Sequence, residues 1–283
     1  MRAVTTIGDP DGWLAACRRM VAAQREIFDE VAGIKARTEY EGVGEGGDKT
    51  LVIDRRCEDV VFAELDRMRE DGAPDFVAIS EERGDVAFGE PEASLRVVID
   101  PIDGSLNARR MIPAHSLSIA VASGESIAEV EFGFVHDFGA DEEFSAVRGE
   151  GARLGGEQLV PERPWDGLEV VAIESASPER IAPVAAALQE RAFRLRAPGS
   201  IAISLAYVAA GRFDAMLSAR ECRSVDAAAG QLIVREVGGL AVFGDLALEE
   251  ADLSLDARYP VAAAHDSKGL ETVLDAQRAS PGL

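Results

Sequence analysis

Two aspartates, Asp100 and Asp103, end an apolar run in the stretch VVIDPIDGSLN at residues 97–107. Pro101 lies between them, has no backbone donor and fixes its own φ angle, so the turn that carries both carboxylates is stiff. Carboxylates this close repel each other unless a proton or a cation lies between them. Hard oxygen ligands suit Mg²⁺, which also shares the oxygens of substrate phosphates. The stretch therefore predicts a cation site or, on a simpler interpretation, two acids in ordinary turn chemistry.

Further acidic segments favour the cation site. Each carries a carboxylate directly after an apolar run or at the start of a helix: Glu81 and Glu82 in AISEERG, Asp54 in TLVID, and Asp226 in SVDAAAGQLIV. For Asp226, a plain N-cap is the simpler interpretation. Ligands of open α/β sheets bind at the carboxyl ends of the strands, so we expect these acids to converge there. Gly104 and Ser105 expose backbone N–H groups where a new helix begins, which is where a phosphate would be held.

The elements that position these acids can be predicted from apolar periodicity. Helical spacing predicts helices over residues 13 to about 36 and over DRRCEDVVFAELDRMRE, and DFVAIS and SLRVVID are typical of short buried strands. The segment from 115 to 149 predicts an antiparallel meander. Farther along, strands and helices alternate, with one helix opened by Ser177 as N-cap and another closed by Gly238 and Gly239.

These patterns predict an α/β protein, a layered sandwich of alternating α and β layers. The antiparallel meander would lie in the first half and the strand–helix alternation in the second. The Pro/Gly-rich segment near 150–167 predicts the boundary between the halves. The N-terminal half, 1–155, would carry a mobile loop and most metal ligands. The C-terminal half, 156–283, would carry Asp226 and the residues that select the substrate.

Composition limits the partners and the compartment. The 283 residues carry a formal net charge of −22. So acidic a surface repels nucleic acid and anionic lipid, and we expect neither as a partner. Without a membrane span, a signal peptide or a disulfide framework in the sequence, a cytoplasmic protein is expected. An anionic substrate would need metal ions or arginines to invert the local field.

Other sequence features point to different chemistry. GVGEGG at 42–47 matches the G-x-G-x-x-G fingerprint of dinucleotide sites. The preceding IKARTEYE is polar and unlike the buried strand that such a site requires, so a mobile polar loop fits better than an NAD(P)-binding oxidoreductase. The sequence has no G-x-S-x-G elbow. Its three histidines and three cysteines are scattered, and we expect them to be packing or surface residues.

Taken together, the acidic motifs resemble those of the inositol monophosphatase/fructose-1,6-bisphosphatase superfamily of Mg²⁺-dependent, lithium-sensitive phosphatases. VVIDPIDGSLN resembles its D-P-[IL]-D-G-[ST] signature, and ISEER resembles its G-E-E segment with Ser80 in place of glycine. VDAAAGQLIVREVGG resembles the second signature, with Val225 where many members have tryptophan. VRGEGARLGGEQL and GGDKTLVID resemble two further segments, the last typical of the archaeal-type dual-specificity branch.

The resemblance implies a set of metal ligands and catalytic residues. Two or three Mg²⁺ ions would be held by carboxylates and one carbonyl, from Glu81, Asp100, Ile102, Asp103 and Asp226, with Asp48 of the mobile loop as a further candidate. Glu81, Asp54 and Ser105 would be catalytic, the last two by orienting the nucleophilic water. The N–H groups of Gly104 and Ser105 would bind the phosphate. The protein would be a homodimer by family analogy.

The segments that would select the substrate differ from those of inositol-phosphate-specific members. Those members carry an aromatic residue after the Asn and a His-Cys-Trp-Asp run, where this chain has NARRMIP and SARECRSVD. Arg220 and Arg223 resemble the archaeal-type pattern and would bind a second phosphate bidentately, unless they pair with surface acids. Gly199 and Ser200 in APGSIA would border the substrate. The sequence assigns no definite role to Arg109 and Arg110.

The predicted function is hydrolysis of inositol 1-phosphate, fructose 1,6-bisphosphate or both, by metal-activated water. Hydrolysis of 3′-phosphoadenosine 5′-phosphate is an alternative within the same class. From another class, the chain could be a catalytically silent cation-binding regulatory relative. The joint presence of Asp54 and the four other acids argues against the silent relative, because a structural remnant need not keep every ligand.

Overall fold

A computed structural model describes residues 7–38, 40–43, 49–162, 167–175 and 177–283. Within these ranges the helices are α1 (Pro10–Glu30), α2 (Val52–Glu70), α3 (Ser105–Arg110), α4 (Pro178–Ala187), α5 (Ile201–Ala209), α6 (Ser224–Glu236) and α7 (Ser267–Gln277). The strands are β1 (Tyr40–Val43), β2 (Lys49–Leu51), β3 (Phe76–Ser80), β4 (Gly84–Phe88), β5 (Leu95–Asp103), β6 (Ser116–Ala122), β7 (Val130–Asp137), β8 (Glu142–Val147), β9 (Gly151–Leu154), β10 (Glu157–Gln158), β11 (Leu168–Glu174), β12 (Ala192–Arg196), β13 (Ala215–Ser218), β14 (Cys222–Arg223), β15 (Leu240–Phe243), β16 (Arg258–Tyr259) and β17 (Val261–Ala264).

The larger sheet has eight strands in the order β10-β9-β8-β7-β6-β5-β3-β4. Strands β3 and β5 are parallel, and the other neighbouring pairs are antiparallel. The run from β6 to β9 is the predicted meander. Because β3 and β5 run side by side in the same direction, the residues that follow them meet at one edge of the sheet.

The smaller sheet has five strands in the order β12-β11-β13-β17-β15. Strand β11 lies parallel to both β12 and β13, which are reached through α4 and α5. Strands β17 and β15 complete the sheet in antiparallel fashion. This half therefore has the predicted alternation of strand and helix.

Hydrophobic contacts arrange the elements in alternating layers. Helices α1 and α2 cover one face of the larger sheet, with Trp13 and Phe76 among the buried residues. Helices α5 and α6 lie between the two sheets, where Leu205 and Ile233 are fully or almost fully buried. Helices α4 and α7 cover the outer face of the smaller sheet, with Val273 in that contact. The predicted layered α/β sandwich is confirmed.

Several element boundaries differ from the predicted ones. Helix α1 ends at Glu30, and a 3-10 turn over Ala36–Thr38 replaces the expected continuation, because Gly33 adopts φ +101°. Strand β5 runs on to Asp103, since Asp103 still pairs with Ser116 across an irregularity. Ser177 is the N-cap residue of α4, but its side chain makes no capping hydrogen bond.

The segment around the glycine-rich motif is not a dinucleotide-binding unit. Strands β1 and β2 pair antiparallel as a two-stranded hairpin, whereas a dinucleotide fingerprint joins a buried strand to a helix. Residues 44–48, including Asp48, lie outside the described residues. None of the described helices is both long and apolar enough to cross a membrane. The division of the chain at residues 155 and 156 stays a prediction.

Candidate metal centre and active site

Three carboxylates from separate elements meet at the edge of the larger sheet. Asp100 lies in β5, Glu81 directly follows the parallel β3, and Asp226 lies in the first turn of α6. Each offers an oxygen, and these oxygens all lie within 4.8 Å of one another. Asp100 is only 6% exposed, and its Oδ1 accepts a hydrogen bond of 3.0 Å from the backbone N–H of Ile102.

The electrostatics of this cluster suit a divalent cation. Burial, followed by repulsion from Glu81 and the other aspartates, raises the pKa of Asp100 well above its ordinary value. Burial and the same neighbours raise the pKa of Asp226, although the Arg223 guanidinium opposes the shift. A cation would relieve this repulsion, and hard carboxylate oxygens are the donors that Mg²⁺ prefers. The donor set therefore fits Mg²⁺.

Asp103 lies outside the three-carboxylate group but beside it. Its Oδ2 accepts hydrogen bonds from the Ser200 hydroxyl at 2.6 Å and from the Ala202 N–H at 2.7 Å. Burial raises the pKa of Asp103 to about 6, and these hydrogen bonds oppose the rise. Ser200 was expected beside the substrate. As the N-cap residue of α5 it lies at the start of that helix, and from there its hydroxyl holds Asp103, a candidate metal ligand.

Asp54 lies in the first turn of α2 and faces the same acidic cavity. Burial, then the charges of Glu82 and Glu81, raise its pKa to about 7. Its Oδ1 is buried without a hydrogen-bond partner among the described residues. A carboxylate with a pKa near neutrality can accept a proton from water. Ser105, its expected companion, donates a hydrogen bond of 2.9 Å to the Ile102 carbonyl, itself a predicted metal ligand.

The turn between β5 and α3 requires glycine at residue 104. Gly104 has φ +90°, and a Cβ there would lie 2.8 Å from the Ala114 carbonyl oxygen and 3.0 Å from that of Gly199. Close contact with the Gly199 segment brings the two predicted phosphate and substrate regions together. The side chain of Asn107 strengthens the contact by donating to the carbonyls of Ala114 and Pro198, both at 2.7 Å.

Two cavities adjoin at this point. The acidic cavity, of about 450 Å³, is lined by the candidate ligands together with Asp54, Arg109 and Arg223. The second cavity, of about 620 Å³, is lined by Glu174, Gly199 and Arg180 among others. Asp103, Leu106, Arg220 and Asp226 line both of them. A ligand held at the acids can therefore extend into the second cavity.

The four arginines singled out in the sequence differ in their positions relative to the two cavities. Arg223 donates to Glu81 Oε1 at 2.7 Å, so it pairs with a candidate metal ligand and not with a surface acid. Arg220 is exposed at the junction of the cavities and donates from Nε to Ser175 Oγ at 3.3 Å. Arg109 lines the acidic cavity, whereas Arg110 lines neither cavity. Sequence reasoning missed Arg180, whose position depends on a hydrogen bond of 2.6 Å to the Pro281 carbonyl.

Sequence reasoning also missed Glu174. It ends β11 as a buried acid, and its oxygens accept from Ser204 Oγ at 2.5 Å and from the Gly199 N–H at 3.0 Å. Burial raises its pKa to about 8. Its position directly after the apolar run of LEVVAIE is the same signal that identified the other acids. His115 and His136 are buried against Phe138 and line neither cavity.

Comparisons with known proteins identify the family of the chain. The sequence model of the inositol monophosphatase family matches residues 10–280. The chain is 30% identical over 250 residues to the fructose-1,6-bisphosphatase/inositol-1-monophosphatase of Thermococcus kodakarensis, covering 88% of this chain and 91% of the relative. It is 33% identical over 194 residues to the Nus factor SuhB of Escherichia coli, covering 66% of this chain and 69% of that protein.

A solved structure shares the fold. The crystal structure of an inositol monophosphatase–fructose 1,6-bisphosphatase superimposes with a TM-score of 0.79 at 25% identity, over 93% of this chain and 99% of that one. The chain belongs to the inositol monophosphatase family of phosphomonoesterases.

Proposed function

We propose that the chain is a Mg²⁺-dependent phosphomonoesterase that hydrolyses inositol 1-phosphate, fructose 1,6-bisphosphate or both. One observation carries the proposal: Glu81, Asp100 and Asp226 converge in a cavity that also contains Asp54. The names of the Thermococcus relative and of the solved neighbour support the substrates. We further propose a cytoplasmic homodimer that binds neither nucleic acid nor membrane, with its two halves meeting near residues 155 and 156.

The candidate ligands divide into two or three Mg²⁺ sites. Glu81, Asp100 and the Ile102 carbonyl would hold one ion, and Asp100, Asp103 and Asp226 a second. A third ion would share Glu81, with Asp48 as a further ligand. Bound Mg²⁺ makes water more acidic and stabilises negative charge on the phosphate and on the leaving oxygen.

The chain's own residues supply the remaining functions of the reaction. Asp54, whose Oδ1 is buried without a hydrogen-bond partner among the described residues, would accept a proton from the attacking water. The Ser105 hydroxyl would orient that water, and the N–H groups of Gly104 and Ser105 would hold the phosphate. Glu81 would contribute to catalysis as a ligand of the first ion, which would activate the attacking water.

The second cavity supports a second anionic group on the substrate. Arg220 lines both cavities, and Arg180 and Gly199 line the second, whereas buried Ser200 is connected to them only through its hydrogen bond to Asp103. Guanidinium groups bind phosphate bidentately and offset the negative field of this acidic protein. Because Arg223 is paired with Glu81, Arg220 is the better candidate of the two predicted arginines.

Arg220→Ala is expected to raise KM for fructose 1,6-bisphosphate by about tenfold or more, since a charge-assisted hydrogen bond contributes about 1.5–3 kcal/mol. KM for inositol 1-phosphate, which has no second phosphate, should change little. Steady-state kinetics with both substrates measures the difference. Arg191→Ala is the control, because Arg191 pairs with Asp275 away from both cavities. An equal rise for both substrates would contradict a second-phosphate role.

The direct test of the proposed function is phosphate release with Mg²⁺ from three substrates. Comparable release from inositol 1-phosphate and fructose 1,6-bisphosphate is the expected result. Release from 3′-phosphoadenosine 5′-phosphate alone would move the function to nucleotide phosphates. Mg²⁺ binding without release from any of them would favour a silent cation-binding relative.

A further inference from the structure

A second buried carboxylate, Glu58, lies next to the acidic cluster without lining its cavity. It belongs to α2, one helical turn after Asp54, and is only 1% exposed. Burial raises its pKa, while hydrogen bonding from Ser80 and the Arg83 charge lower it. A buried carboxylate is costly unless it is hydrogen bonded and paired, so each of its partners is informative.

Within the described part of the chain, Glu58 pairs with the last residue of β3 and with the short connection that follows it. The Ser80 hydroxyl donates to Glu58 Oε1, and the Arg83 Nε lies 3.3 Å from Glu58 Oε2. The backbone N–H of Glu82 also hydrogen bonds to Glu58. Arg83 is held in place in turn by Asp59 and by the ring of Phe62, 4.3 Å from its guanidinium carbon.

These contacts bracket the candidate ligand Glu81. Ser80 and Gly84 form the last pair between β3 and β4, so residues 81–83 are the whole connection between the two strands. Glu58 binds the residue before Glu81 and both residues after it. Because Ser80, Glu82 and Arg83 are all held by Glu58, the backbone that carries the Glu81 side chain has little freedom to move. Ser80 takes part in the contact through its side-chain hydroxyl.

The same helix carries Asp54 into the cavity. Residues 54 and 58 are four apart in α2 and therefore lie on one face of that helix. A contact that fixes the β3–β4 connection to Glu58 consequently also fixes the distance from Glu81 to Asp54. Glu58 therefore connects Glu81, the proposed metal ligand, with Asp54, the proposed proton acceptor.

We propose that Glu58 is a positioning residue that holds Glu81 in its metal-binding orientation and in register with Asp54. This inference rests on the proposed Mg²⁺ site. The contribution is to preorganisation: the ligand is held in place before the ion arrives, so less conformational entropy is lost on binding. Glu58 lines neither cavity, so it would act on the site only through Glu81 and Asp54.

Glu58→Gln tests the proposal, because glutamine keeps the shape but offers one acceptor oxygen where the carboxylate offers two. We expect the Kd for Mg²⁺, measured by calorimetry without substrate, to rise about tenfold or more. Ser80→Ala should raise it by less, since the contacts from Glu82 and Arg83 persist. At saturating Mg²⁺, kcat should recover in both variants, because the ligands themselves are intact.

Glu64→Gln is the matched control. Glu64 is also a largely buried glutamate of α2 paired with an arginine, Arg19, but it does not touch the β3–β4 connection. Glu64→Gln should lower Tm without changing the Kd for Mg²⁺. If Glu58→Gln behaved in the same way, Glu58 would be purely structural and the proposal wrong. If the unsubstituted protein bound no Mg²⁺, the metal site and the positioning role would both be overturned.

Discussion

Asp100→Asn is expected to lower kcat by about 10³-fold while leaving the protein folded. A metal site contributes several kcal/mol of transition-state stabilisation, and each 1.4 kcal/mol of activation free energy changes the rate about tenfold. The asparagine oxygen can still accept the Ile102 N–H that Asp100 Oδ1 accepts. The substitution also removes one of several mutually repelling carboxylates. Without metal, the variant should therefore have a higher Tm than the parent at pH 8. With Mg²⁺, the variant should be nearly inactive.

A second buried aspartate provides the control. Asp137 ends β7 and accepts hydrogen bonds from the Gly139 N–H at 2.8 Å and from the Tyr207 hydroxyl at 2.7 Å. It lines neither cavity. Asp137→Asn should lower Tm and leave kcat almost unchanged, which is the opposite of the result for Asp100→Asn. If Asp100→Asn kept the parent kcat with Mg²⁺, the assignment of Asp100 as a ligand would be wrong.

The stability of the metal-free protein should fall as pH rises from about 5 to about 8. Asp54 and Asp103 have pKa values of about 7 and about 6 in the folded protein, and Glu174 about 8, all above the values near 4 of an unfolded chain. In this window these three groups bind more protons in the folded protein than in the unfolded chain, which outweighs buried His136, whose lowered pKa of about 4 acts in the opposite direction. The free energy of unfolding therefore decreases with rising pH, by about 1.4 kcal/mol for each unit of pKa shift.

Mg²⁺ should restore part of this loss, because it binds its proposed carboxylate ligands, Asp103 among them, deprotonated and in the folded state only. We expect the metal-free Tm to drop by about 10 °C over the window, and the Mg²⁺-induced rise in Tm to be larger at pH 8 than at pH 5.5. Calorimetric melting curves measure both. KCl at equal ionic strength is the control, since it screens the general negative charge without occupying the site. An equal Mg²⁺ effect at both pH values would contradict this account.

The acids could be predicted from the sequence because Glu81 and Asp100 come at the ends of short apolar runs and Asp226 lies at the start of a helix. Such a run specifies where a buried strand ends, and parallel neighbours bring those ends to one edge. Glu81, Asp100 and Asp226 were predicted to converge in this way, and the structure brings them together. Their role as ligands stays a proposal. Glu174 obeys the same rule and was overlooked.

Long-range side-chain contacts could not be predicted. Whether Arg223 pairs with Glu81, or Arg180 with the Pro281 carbonyl, depends on elements that are distant in sequence and on how their side chains pack. Local patterns also did not predict where a strand ends when a contact with another strand determines its end. Strand β5 continues past Pro101 because Asp103 pairs with Ser116 of β6. Composition limited the choice of partners but did not identify the arginines that face the substrate cavity.

The site is assembled from segments that are far apart along the chain. Glu81 and Asp100 come from the larger sheet, whereas Asp226 comes from α6, and α5 fixes Asp103 through Ser200. Contacts between such distant segments form late in folding, because the intervening loops must first be closed. An ion that binds only the assembled site stabilises the native state more than the folding transition state. Mg²⁺ should accordingly slow unfolding and leave the folding rate nearly unchanged, so that the ion determines the lifetime of the folded enzyme.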